Sequence, residues 1–359
     1  MVKTKATTEG AGGRSRAATL ADVAALAGVV PMTASRAING TGYVSTAVRE
    51  RVMQAARELQ YRPNIIARQL RGSRLNAVGV LLPDIANPFS AELMHGIKEV
   101  LEKAGFTLFL GTTESSVKQE QAAIQAFIDH RIDGLIVATH ESKEGDAAIV
   151  AAVSQSIPVV LLGRRSEMRS VDWVAADDYQ GGYDAAQHLA SMGHARIGFI
   201  GCSLQGVPSL PRFAGFLDGL GAAGLKIDPR HAICGVDGPG WATESTGFDG
   251  MLALSKLKTR PTAVMARNDA AAIGALRAAN VLKLRVPEDV AISGFDNIPS
   301  AAFQSPPLTT VEQPTREQGR IAARLLLERI HGDRQAQSQT VVMPCALIVR
   351  ESTGIGSRA

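Results

Sequence analysis

A chain of 359 residues is too long for one small domain, and two or three domains are expected. Hydrophobic residues make up 45% of the chain and aromatic residues only 4%, which suits an α/β protein whose parallel strands are buried on both faces. Three widely separated cysteines, Cys202, Cys234 and Cys345, exclude a disulfide framework and a cysteine metal site. They are predicted to be ordinary core residues in a reducing cytoplasm.

The charge is distributed unevenly along the chain. Residues 1–74 carry twelve lysine and arginine side chains against four carboxylates, although the whole chain has a net charge of only +4. The remainder is therefore slightly acidic. A basic N-terminal part joined to an acidic body indicates that the N-terminal part, and not the body, binds a polyanion.

The first 18 residues form a basic arm that is predicted to be disordered. No apolar segment follows its charges, so a secretory signal is not expected, and no uninterrupted apolar run reaches the length of a membrane span. These features predict a cytoplasmic, nucleoid-associated protein with no membrane partner.

Three short helices are predicted in residues 19–63. The first follows Thr19, its expected N-cap, the second begins at Pro31, and the third follows the expected cap Ser45. Their apolar side chains should close a small core made of Val23, Ala24, Ala27, Ala34, Ile38, Val48, Val52, Ala55, Ala56 and Leu59.

The next segment, residues 64–74, is amphiphilic but too short to be stable as an isolated helix. From residue 75 onwards, short β-branched runs alternate with longer helical patterns, which predicts parallel sheets with right-handed crossovers. The strands are too many for one sheet, and the series begins again near Arg196, so two similar lobes are predicted. The expected strands are 77–82, 106–111, 134–138, 158–162, 196–201, 262–266 and 290–294.

The first two helices and the turn between them have the pattern of a helix-turn-helix unit. Such a turn places the start of the second helix in the major groove, where Arg36 could donate two parallel hydrogen bonds to guanine. Hydroxyl groups and backbone N–H groups at the helix starts could meet phosphates. A three-helix protein-interaction module is the alternative on this pattern alone, although the local positive charge favours DNA.

Residues 19–70, TLADVAALAGVVPMTASRAINGTGYVSTAVRERVMQAARELQYRPNIIARQL, resemble the Lac repressor/galactose repressor family of bacterial transcription regulators. The family pattern is T-L-x-D-V-A-x-x-A-G-V-S-x-x-T-V-S-R-x-x-N, followed by V-S and Y-x-P-N. It is present here except that Val30 replaces a serine and Ala34 replaces a valine. Val30 removes an N-cap hydroxyl. The resemblance extends to about residue 352.

The resemblance implies how the head reads DNA. Pro31, Met32 and Arg36 would face base edges, and Arg36 would carry most of the hydrogen-bonded readout. Residues 64–74 would form a hinge helix that pairs with that of a second copy over a pseudo-palindromic operator, with Leu70 wedged into the minor groove. The protein is therefore expected to be a homodimer. The other DNA-binding residues implied are Thr19, Thr33, Ser35, Asn39, Tyr43, Ser45, Asn64 and Ala67.

The resemblance also implies a body like the periplasmic sugar-binding proteins, with two α/β lobes crossed by three strands and a ligand in the cleft. The expected boundaries are 1–18 for the arm, 19–63 for the head, 64–74 for the hinge helix, 75–174 and 312–339 for lobe 1, 175–309 and 340–352 for lobe 2, and 353–359 for a tail.

Arg212 is the implied clamp for a diol or a carboxylate of the effector. Phe89 and Trp241 could stack on a ring or be core aromatics, and Asp269 is expected to cap a helix rather than bind. The effector-binding residues implied by the resemblance are Asn87, Phe89, Arg164, Arg212, Trp241, Asn268, Asp296 and Gln313.

One departure from the family bears on the ligand. Gly163 stands where several sugar-responsive members carry an aspartate, and Arg164 and Arg165 follow it. A second cation near Arg212 would favour an anionic effector, unless these arginines point into solvent. A sugar or a sugar acid is therefore the favoured effector.

An enzyme is not expected. The sequence has no phosphate-binding loop, no G-x-S-x-G, no His/Cys metal spacing and no dinucleotide fingerprint, so no catalytic residue, metal or cofactor is predicted. A secreted solute-binding protein would explain the body but not the basic head. The favoured prediction is a repressor released by an inducer, and a corepressor-dependent regulator is the alternative.

Overall fold

The structure is a computed structural model that describes residues 18–61, 75–114, 116–138, 143–163, 171–202, 211–234, 242–332 and 337–354, without the side chains of 143–145. It divides into two compact units, Met1–Leu75 and Asn76–Ala359. The arm, apart from its last residue, and the hinge helix expected at 64–74 lie outside the described residues.

The first unit contains the three predicted helices. Helix α1 spans Leu20–Leu26, α2 spans Pro31–Asn39 and α3 spans Thr46–Glu58. They close one apolar core in which Val23 and Val52 are fully buried. The other buried members are alanines, so the helices pack closely and their charged side chains remain outside.

The three helices begin in different ways. Asp22 N donates to Thr19 Oγ1 at 3.3 Å and Thr19 N donates to Asp22 Oδ2 at 2.7 Å, which is a reciprocal capping box. Helix α2 has no side-chain cap at Val30, and Pro31 in its first turn removes one N–H that would lack a partner. Ser45 holds the N-cap position of α3 without a side-chain capping bond.

The turn between α1 and α2 passes through Gly28, whose φ of +65° favours glycine. The two helices are inclined at 101°, within the range of helix-turn-helix units. By length and apolar composition alone this bent pair could cross a membrane together, whereas no single described helix could.

The first lobe of the body is a parallel sheet of β1 Ala77–Leu82, β2 Thr107–Thr112, β3 Gly134–Val137, β4 Val159–Leu162, β5 Asp172–Ala176 and β11 Thr340–Met343. Its strand order is β11-β5-β4-β3-β1-β2. Every residue of β1 is buried, as a central strand covered on both faces requires. The helices of this lobe are α4 Pro88–Lys103, α5 Val117–Asp129, α6 Lys143–Ser154 and α11 Thr315–His331.

The second lobe is a parallel sheet of β6 Ile197–Ile200, β7 Ala232–Ile233, β8 Ala263–Ala266 and β9 Ala291–Ser293, in the order β7-β6-β8-β9. Its helices are α7 Asp178–Ser191, α8 Pro211–Ala222, α9 Glu244–Ser255 and α10 Asp269–Val281. The three cysteines are free, with Cys202 buried and the other two half-buried.

The chain crosses between the lobes after β5, between β9 and α11, and after β11. Two of these crossings form an antiparallel ribbon of β10 Thr310–Glu312 and β12 Ala346–Ile348. All seven predicted strands are present with ends within one residue, and the two-lobed parallel architecture is confirmed.

Two predicted boundaries need correction. Residues 340–343 were assigned to lobe 2, but β11 pairs with β5 in the sheet of lobe 1, so the last crossing follows Met343. Thr353 was assigned to a tail, but it is buried and its Oγ1 lies 2.8 Å from both His188 Nε2 and Thr309 Oγ1. It therefore belongs to the body.

Three helix pairs of the body touch backbone to backbone at glycines. A Cβ at Gly182 of α7 would lie 2.0 Å from Arg212 O of α8, and a Cβ at Gly215 of α8 would lie 1.9 Å from Tyr179 O of α7. Any side chain at either position would force the two helices apart. The same reciprocal contact joins α4 to α11 at Gly96 and Gly319, and α9 to α10 at Gly247 and Gly274.

We expect Gly215→Ala to destabilise the body by about 1–3 kcal/mol or more, because the new methyl group meets a backbone carbonyl that cannot move aside. Gly221→Ala is the matched control in the same helix. It meets no heavy atom within 4 Å and should stabilise the protein by about 0.5–1 kcal/mol. Thermal and urea unfolding followed by circular dichroism measures both. Equal effects of the two substitutions would contradict the close-approach argument.

Candidate nucleic-acid interface and ligand cleft

The start of α2 presents an exposed face. Pro31 and Arg36 are exposed and Met32 has 64% of its surface exposed, while Ala34 and Ala37 on the opposite side are buried. This arrangement leaves the three predicted base-reading side chains on one accessible surface. Half of the helix faces the core and half is available to a partner.

Arg36 is held in a defined direction. A Cβ on Gly42 would lie 3.5 Å from Arg36 Cδ, so the aliphatic part of Arg36 runs over this glycine. The φ of Gly42 is +67°, which a side chain would strain. The turn after α2 therefore supports the arginine while its guanidinium stays exposed.

The predicted phosphate-contacting residues fall into two groups. The side chains of Thr19 and Asn39 have partners within the head, since Thr19 is part of the capping box and Asn39 Nδ2 donates to Ser35 O at 2.9 Å and Ser35 Oγ at 3.2 Å. Tyr43, with 92% of its surface exposed, and Ser45, which makes no capping bond, project outward. Thr33 is half-buried, and Asn64, Ala67 and Leu70 lie outside the described residues.

In the body, Arg212 lies at the start of α8 and is nearly buried. Its Nη2 donates to Asp178 Oδ2 at 3.2 Å and Oδ1 at 3.3 Å, and its Nη1 donates to Arg267 O and lies 3.6 Å from Asp296 Oδ1. The guanidinium carbon sits 3.4 Å from the centre of the Phe295 ring, a cation–π contact. Two carboxylates and an aromatic face thus stabilise a charge that is largely removed from water.

Asp296 is the second member of this cluster. Its backbone φ is +111°, a conformation that is unusual for a residue with a side chain, and its side chain is almost fully buried. Burial raises the pKa of Asp296 to about 6, against the opposing effects of Arg212 and of the hydrogen bond from Gln313. Gln313 Nε2 donates to Asp296 Oδ1 at 2.7 Å, so β10 and the segment after β9 meet at this carboxylate.

Asn268 and Asp269 both differ from the roles expected of them. Asn268 is the N-cap of α10, with Oδ1 accepting from Ala271 N at 2.9 Å and Nδ2 donating to Ala242 O at 2.8 Å. Its amide is therefore used for capping and is fully buried, which favours a structural role over the predicted effector contact. Asp269 does not cap the helix.

Asp269 ties the crossing segments together instead. Its Oδ2 accepts from Ile298 N at 2.9 Å and its Oδ1 accepts from Thr310 Oγ1 at 2.6 Å. Burial, and then the negative charge of Asp296, raise the pKa of Asp269 to about 8. Through these two hydrogen bonds the carboxyl holds the segment after β9 against β10.

The start of α4 reaches the same region from the first lobe. Asn87 is the N-cap of α4, with Oδ1 accepting from Phe89 N at 2.9 Å. A cavity of about 360 Å³ brings Phe89 together with Asp296 and Gln313. A larger cavity of about 700 Å³, between α9 and α10, contains none of the predicted effector residues. The smaller cavity is thus lined from both lobes and includes three of the predicted effector residues, whereas Arg212 does not line it.

Arg164 and Trp241 lie outside the described residues, as does Arg165. The structure adds three residues to the cluster that the sequence did not indicate, namely Asp178, Arg267 and Phe295. The signal that could have indicated Asp178 and Arg267 is the same one that indicated Asp296, a charged side chain within three residues of the end of a strand. Asp178 was missed because β5 itself was not predicted.

Two family models match the chain. A model of "Bacterial regulatory proteins, lacI family" matches residues 19–64, and a model of a "Periplasmic binding protein-like domain" matches residues 186–353. The first match covers the three-helix unit, and the second covers the second lobe with the later crossings.

Two curated relatives align over nearly their whole length. The HTH-type transcriptional regulator DegA of Bacillus subtilis (strain 168) is 36% identical over 338 residues, which cover 93% of this chain and 98% of DegA. The HTH-type transcriptional repressor PurR of Pasteurella multocida (strain Pm70) is 33% identical over 335 residues, with 93% and 98% covered.

Two solved structures are similar over the same extent. The Lac repressor dimer bound to operator and the anti-inducer ONPF matches with a TM-score of 0.83 and 27% identity, covering 95% of this chain and 100% of that one. The complex of the transcriptional regulator CelR with cellobiose matches with a TM-score of 0.69 and 32% identity, covering 93% and 99%.

The raised pKa of Asp269 predicts a pH dependence of stability. The folded state keeps the proton up to about pH 8, whereas the unfolded chain releases it near pH 4. Stability should therefore fall as pH rises from about 4 to about 8, by at most about 1.4 kcal/mol per pH unit for this group.

Asp269→Asn should flatten this slope, most visibly between pH 6 and 8, where Asp296 contributes little further change. The amide oxygen can still accept from Ile298 N, so the variant should fold. Urea unfolding at half-unit pH steps measures the slope, and Asp249→Asn on the exposed side of α9 is the control. A wild-type slope that persists in Asp269→Asn would show that another group takes up the proton.

Proposed function

The chain belongs to the lacI family of bacterial regulatory proteins and is a DNA-binding transcription regulator rather than an enzyme. From that premise we propose that a small polar effector, bound at Arg212, controls the binding of the protein to an operator. The observation that carries this proposal is the cluster in which Arg212, itself nearly buried, lies between Asp178 after β5 and the buried Asp296 after β9. A charged, hydrogen-bonding cluster at this edge of a parallel sheet is suited to binding a ligand.

The head supports binding to the major groove of a duplex. The exposed face of α2 carries one arginine with a supported side chain, and Tyr43 and Ser45 are exposed in the segment that follows this helix. Arg36 suits the N7 and O6 acceptors of guanine, whereas Met32 can offer only apolar contact, for example to a thymine methyl. We propose one guanine contact per half-site and phosphate contacts around it.

The favoured effector is a sugar or a sugar acid. Arg212, Asp296 and Gln313 present donors and acceptors close together, which is what vicinal hydroxyl groups require. The half-buried Phe89 lines a cavity together with Asp296 and Gln313, and from the first lobe its ring can cover an apolar face of a sugar ring. The solved CelR structure contains cellobiose, which agrees with a sugar in this fold.

A homodimer fits both the DNA and the surface of the body. The similar Lac repressor structure is a dimer on operator, and a twofold dimer reads a pseudo-palindromic site. On the body, the edge strand β2 leaves Phe109 51% and Leu110 45% exposed, and Phe303 is 85% exposed. Apolar side chains on an unpaired edge strand favour a covering partner, and a second copy is the one we propose.

The effector acts through the equilibrium between arrangements of the two lobes. The cluster around Arg212 involves the segment after β9 and the strand β10, and both belong to the crossings between lobes. A ligand shifts such an equilibrium only by its difference in affinity for the two states. We favour an inducer that releases the operator, and a corepressor that strengthens binding is the alternative.

The first test concerns Arg36. Arg36→Ala should weaken binding to an operator selected from random duplexes by about 1–3 kcal/mol and flatten base preference at one position per half-site. Arg57→Ala removes an exposed charge at the end of α3 and serves as the control for a general electrostatic loss. Fluorescence anisotropy on selected and random duplexes gives both affinities. Equal losses on the two duplexes would make Arg36 a phosphate contact only.

The second test concerns Arg212. Arg212→Ala should abolish the thermal shift produced by whichever sugar or sugar acid stabilises the wild type, and it should leave operator affinity without ligand nearly unchanged. Arg212→Lys keeps a charge for Asp178 and Asp296 but loses the bidentate geometry, so it should fold and bind the effector weakly.

The same measurement separates the two regulatory types. With an inducer, Arg212→Ala should stay on operator at every effector concentration, whereas with a corepressor it should stay weakly bound. Arg277→Ala, an exposed arginine of α10, is the control and should respond like the wild type. A response of Arg212→Ala at the wild-type effector concentration would remove Arg212 from the site.

A further inference from the structure

Two of the three cysteines meet at the carboxyl edge of the second-lobe sheet. In the parallel pairing of β6 and β7, Ile200 lies opposite Ile233, and Gly201 N donates to Ile233 O at 2.7 Å. The chain continues from these positions to Cys202 after β6 and to Cys234 after β7. Neighbouring strands lie about 4.8 Å apart and rise about 3.3 Å per residue, so this register predicts a Cα separation of about 6 Å between the two cysteines. A disulfide spans about 4.4–6.8 Å between Cα atoms.

Both cysteines lie on the same face of this sheet. Side chains alternate along a strand, so Cys234 shares the face of Ala232. Ala232 and Cys202 belong to the same apolar core, whereas Ile200 packs into the core on the other face. Strict alternation would place Cys202 with Ile200, but Gly201 has a φ of +105° and interrupts the alternation. The two thiols are therefore directed to the same side of the sheet.

A buried arginine reaches the same edge. Arg267 directly follows β8, which lies on the other side of β6, and it is only 8% exposed. A Cβ on Gly201 would lie 2.7 Å from Arg267 Cβ and 3.4 Å from Arg267 Cδ, so the arginine side chain passes over this glycine. Gly201 lies between Arg267 and Cys234 in the sheet, and its lack of a side chain leaves room for the arginine.

The guanidinium group of Arg267 interacts with both thiols. Burial, and then the positive charge of Arg212, lower the pKa of Arg267, and the negative charges of both cysteine thiolates are among those that oppose this shift. The backbone carbonyl of Arg267 also accepts from Arg212 Nη1, so the cysteines border the cluster around Arg212. A cation beside a thiol favours the thiolate, which is the reactive form.

The three thiols differ in access and in reactivity. Cys202 is buried and Cys234 is half-buried, so a dissolved oxidant reaches Cys234 first. Cys345 is also half-buried, but burial raises the pKa of its thiol to about 12. Cys345 therefore stays protonated at neutral pH and reacts slowly.

We propose that Cys202 and Cys234 form a redox-active pair, which hydrogen peroxide converts into a disulfide. The Cys234 thiolate attacks one oxygen of the peroxide, the O–O bond breaks, and a sulfenic acid forms while hydroxide leaves and takes up the proton that Cys234 released. The Cys202 sulfur then attacks the Cys234 sulfur, the S–O bond breaks, and hydroxide leaves with the Cys202 proton as water. Two thiols are oxidised and one peroxide is reduced to two waters.

The test exposes the reduced full-length protein to hydrogen peroxide at neutral pH. Free thiols are then alkylated, and peptide mass spectrometry identifies the cysteines that are linked. We expect a disulfide between Cys202 and Cys234 that dithiothreitol reverses, with Cys345 alkylated throughout. Disulfides inside cells are usually transient and redox-sensing, so this reversibility is part of the expected result.

Substitutions assign the two steps. Cys202→Ser removes the second thiol, so oxidation should stop at a sulfenic acid on Cys234 that dimedone labels. Cys234→Ser removes the accessible thiol, and Cys202 should then stay reduced. Cys345→Ser is the matched control and should form the disulfide like the wild type.

Arg267 is tested by the rate of the first step. Arg267→Gln should slow the loss of the Cys234 thiol by about tenfold, because it removes the cation that favours the thiolate, and Arg267→Lys should slow it less. Arg260→Gln, an exposed arginine ahead of β8, should react at the wild-type rate. Urea unfolding of each reduced variant shows whether it folds, and the cysteine variants test the pair independently of Arg267→Gln.

Several outcomes would overturn the proposal. Retention of all three thiols at a peroxide concentration that oxidises glutathione is one, and oxidation of Cys345 as fast as Cys234 is another. A disulfide that includes Cys345, or one that joins two copies of the chain, would also overturn it. None of these measurements involves an effector, so the proposed function is tested separately.

Discussion

The body is organised around the burial of one guanidinium group. Arg212 joins the start of α8 to Asp178 at the start of α7, to the carbonyl of Arg267 after β8, and to Asp296 after β9. A buried charge is tolerated only when its partners are in place, and loss of one partner leaves the others uncompensated. The close contact of α7 and α8 at Gly182 brings Asp178 within hydrogen-bonding distance of Arg212. The packing of these two helices therefore determines the geometry of the cluster.

Under the proposed function, this dependence links ligand binding to the arrangement of the lobes. The groups that a polar effector would use already bond to one another, so a ligand must exchange partners with the protein instead of filling an empty polar site. Asp296, Gln313 and Thr310 lie on or beside the crossing strand β10, and Asp269 anchors that strand through Thr310 Oγ1. A change of partner at the cluster is therefore transmitted to the segment that connects the lobes.

Local sequence signals predicted the head and the central strands because caps and continuous apolar runs identify them. They failed for β5, which begins with the buried Asp172. Its carboxylate accepts from Arg329 Nε at 2.9 Å and from Nη2 at 2.8 Å, and this partner is distant in the sequence. They failed for β11 because its neighbour in the sheet is β5, again a distant segment. Family resemblance indicated Arg212 and Asp296, but only tertiary packing reveals Arg267 beside them. The N-cap of α10 lies one residue before the expected Asp269, at Asn268.

The reciprocal glycine contacts have a mechanical consequence. Helices in such close backbone contact resist sliding past one another. We therefore expect each of the pairs α4 and α11, α7 and α8, and α9 and α10 to move as one stiff unit. We expect the backbone flexibility of the body to be concentrated in the three short connections between the lobes. We expect such a body to move as two rigid lobes about these connections, so that a ligand bound between the lobes would act on the connections instead of deforming either lobe.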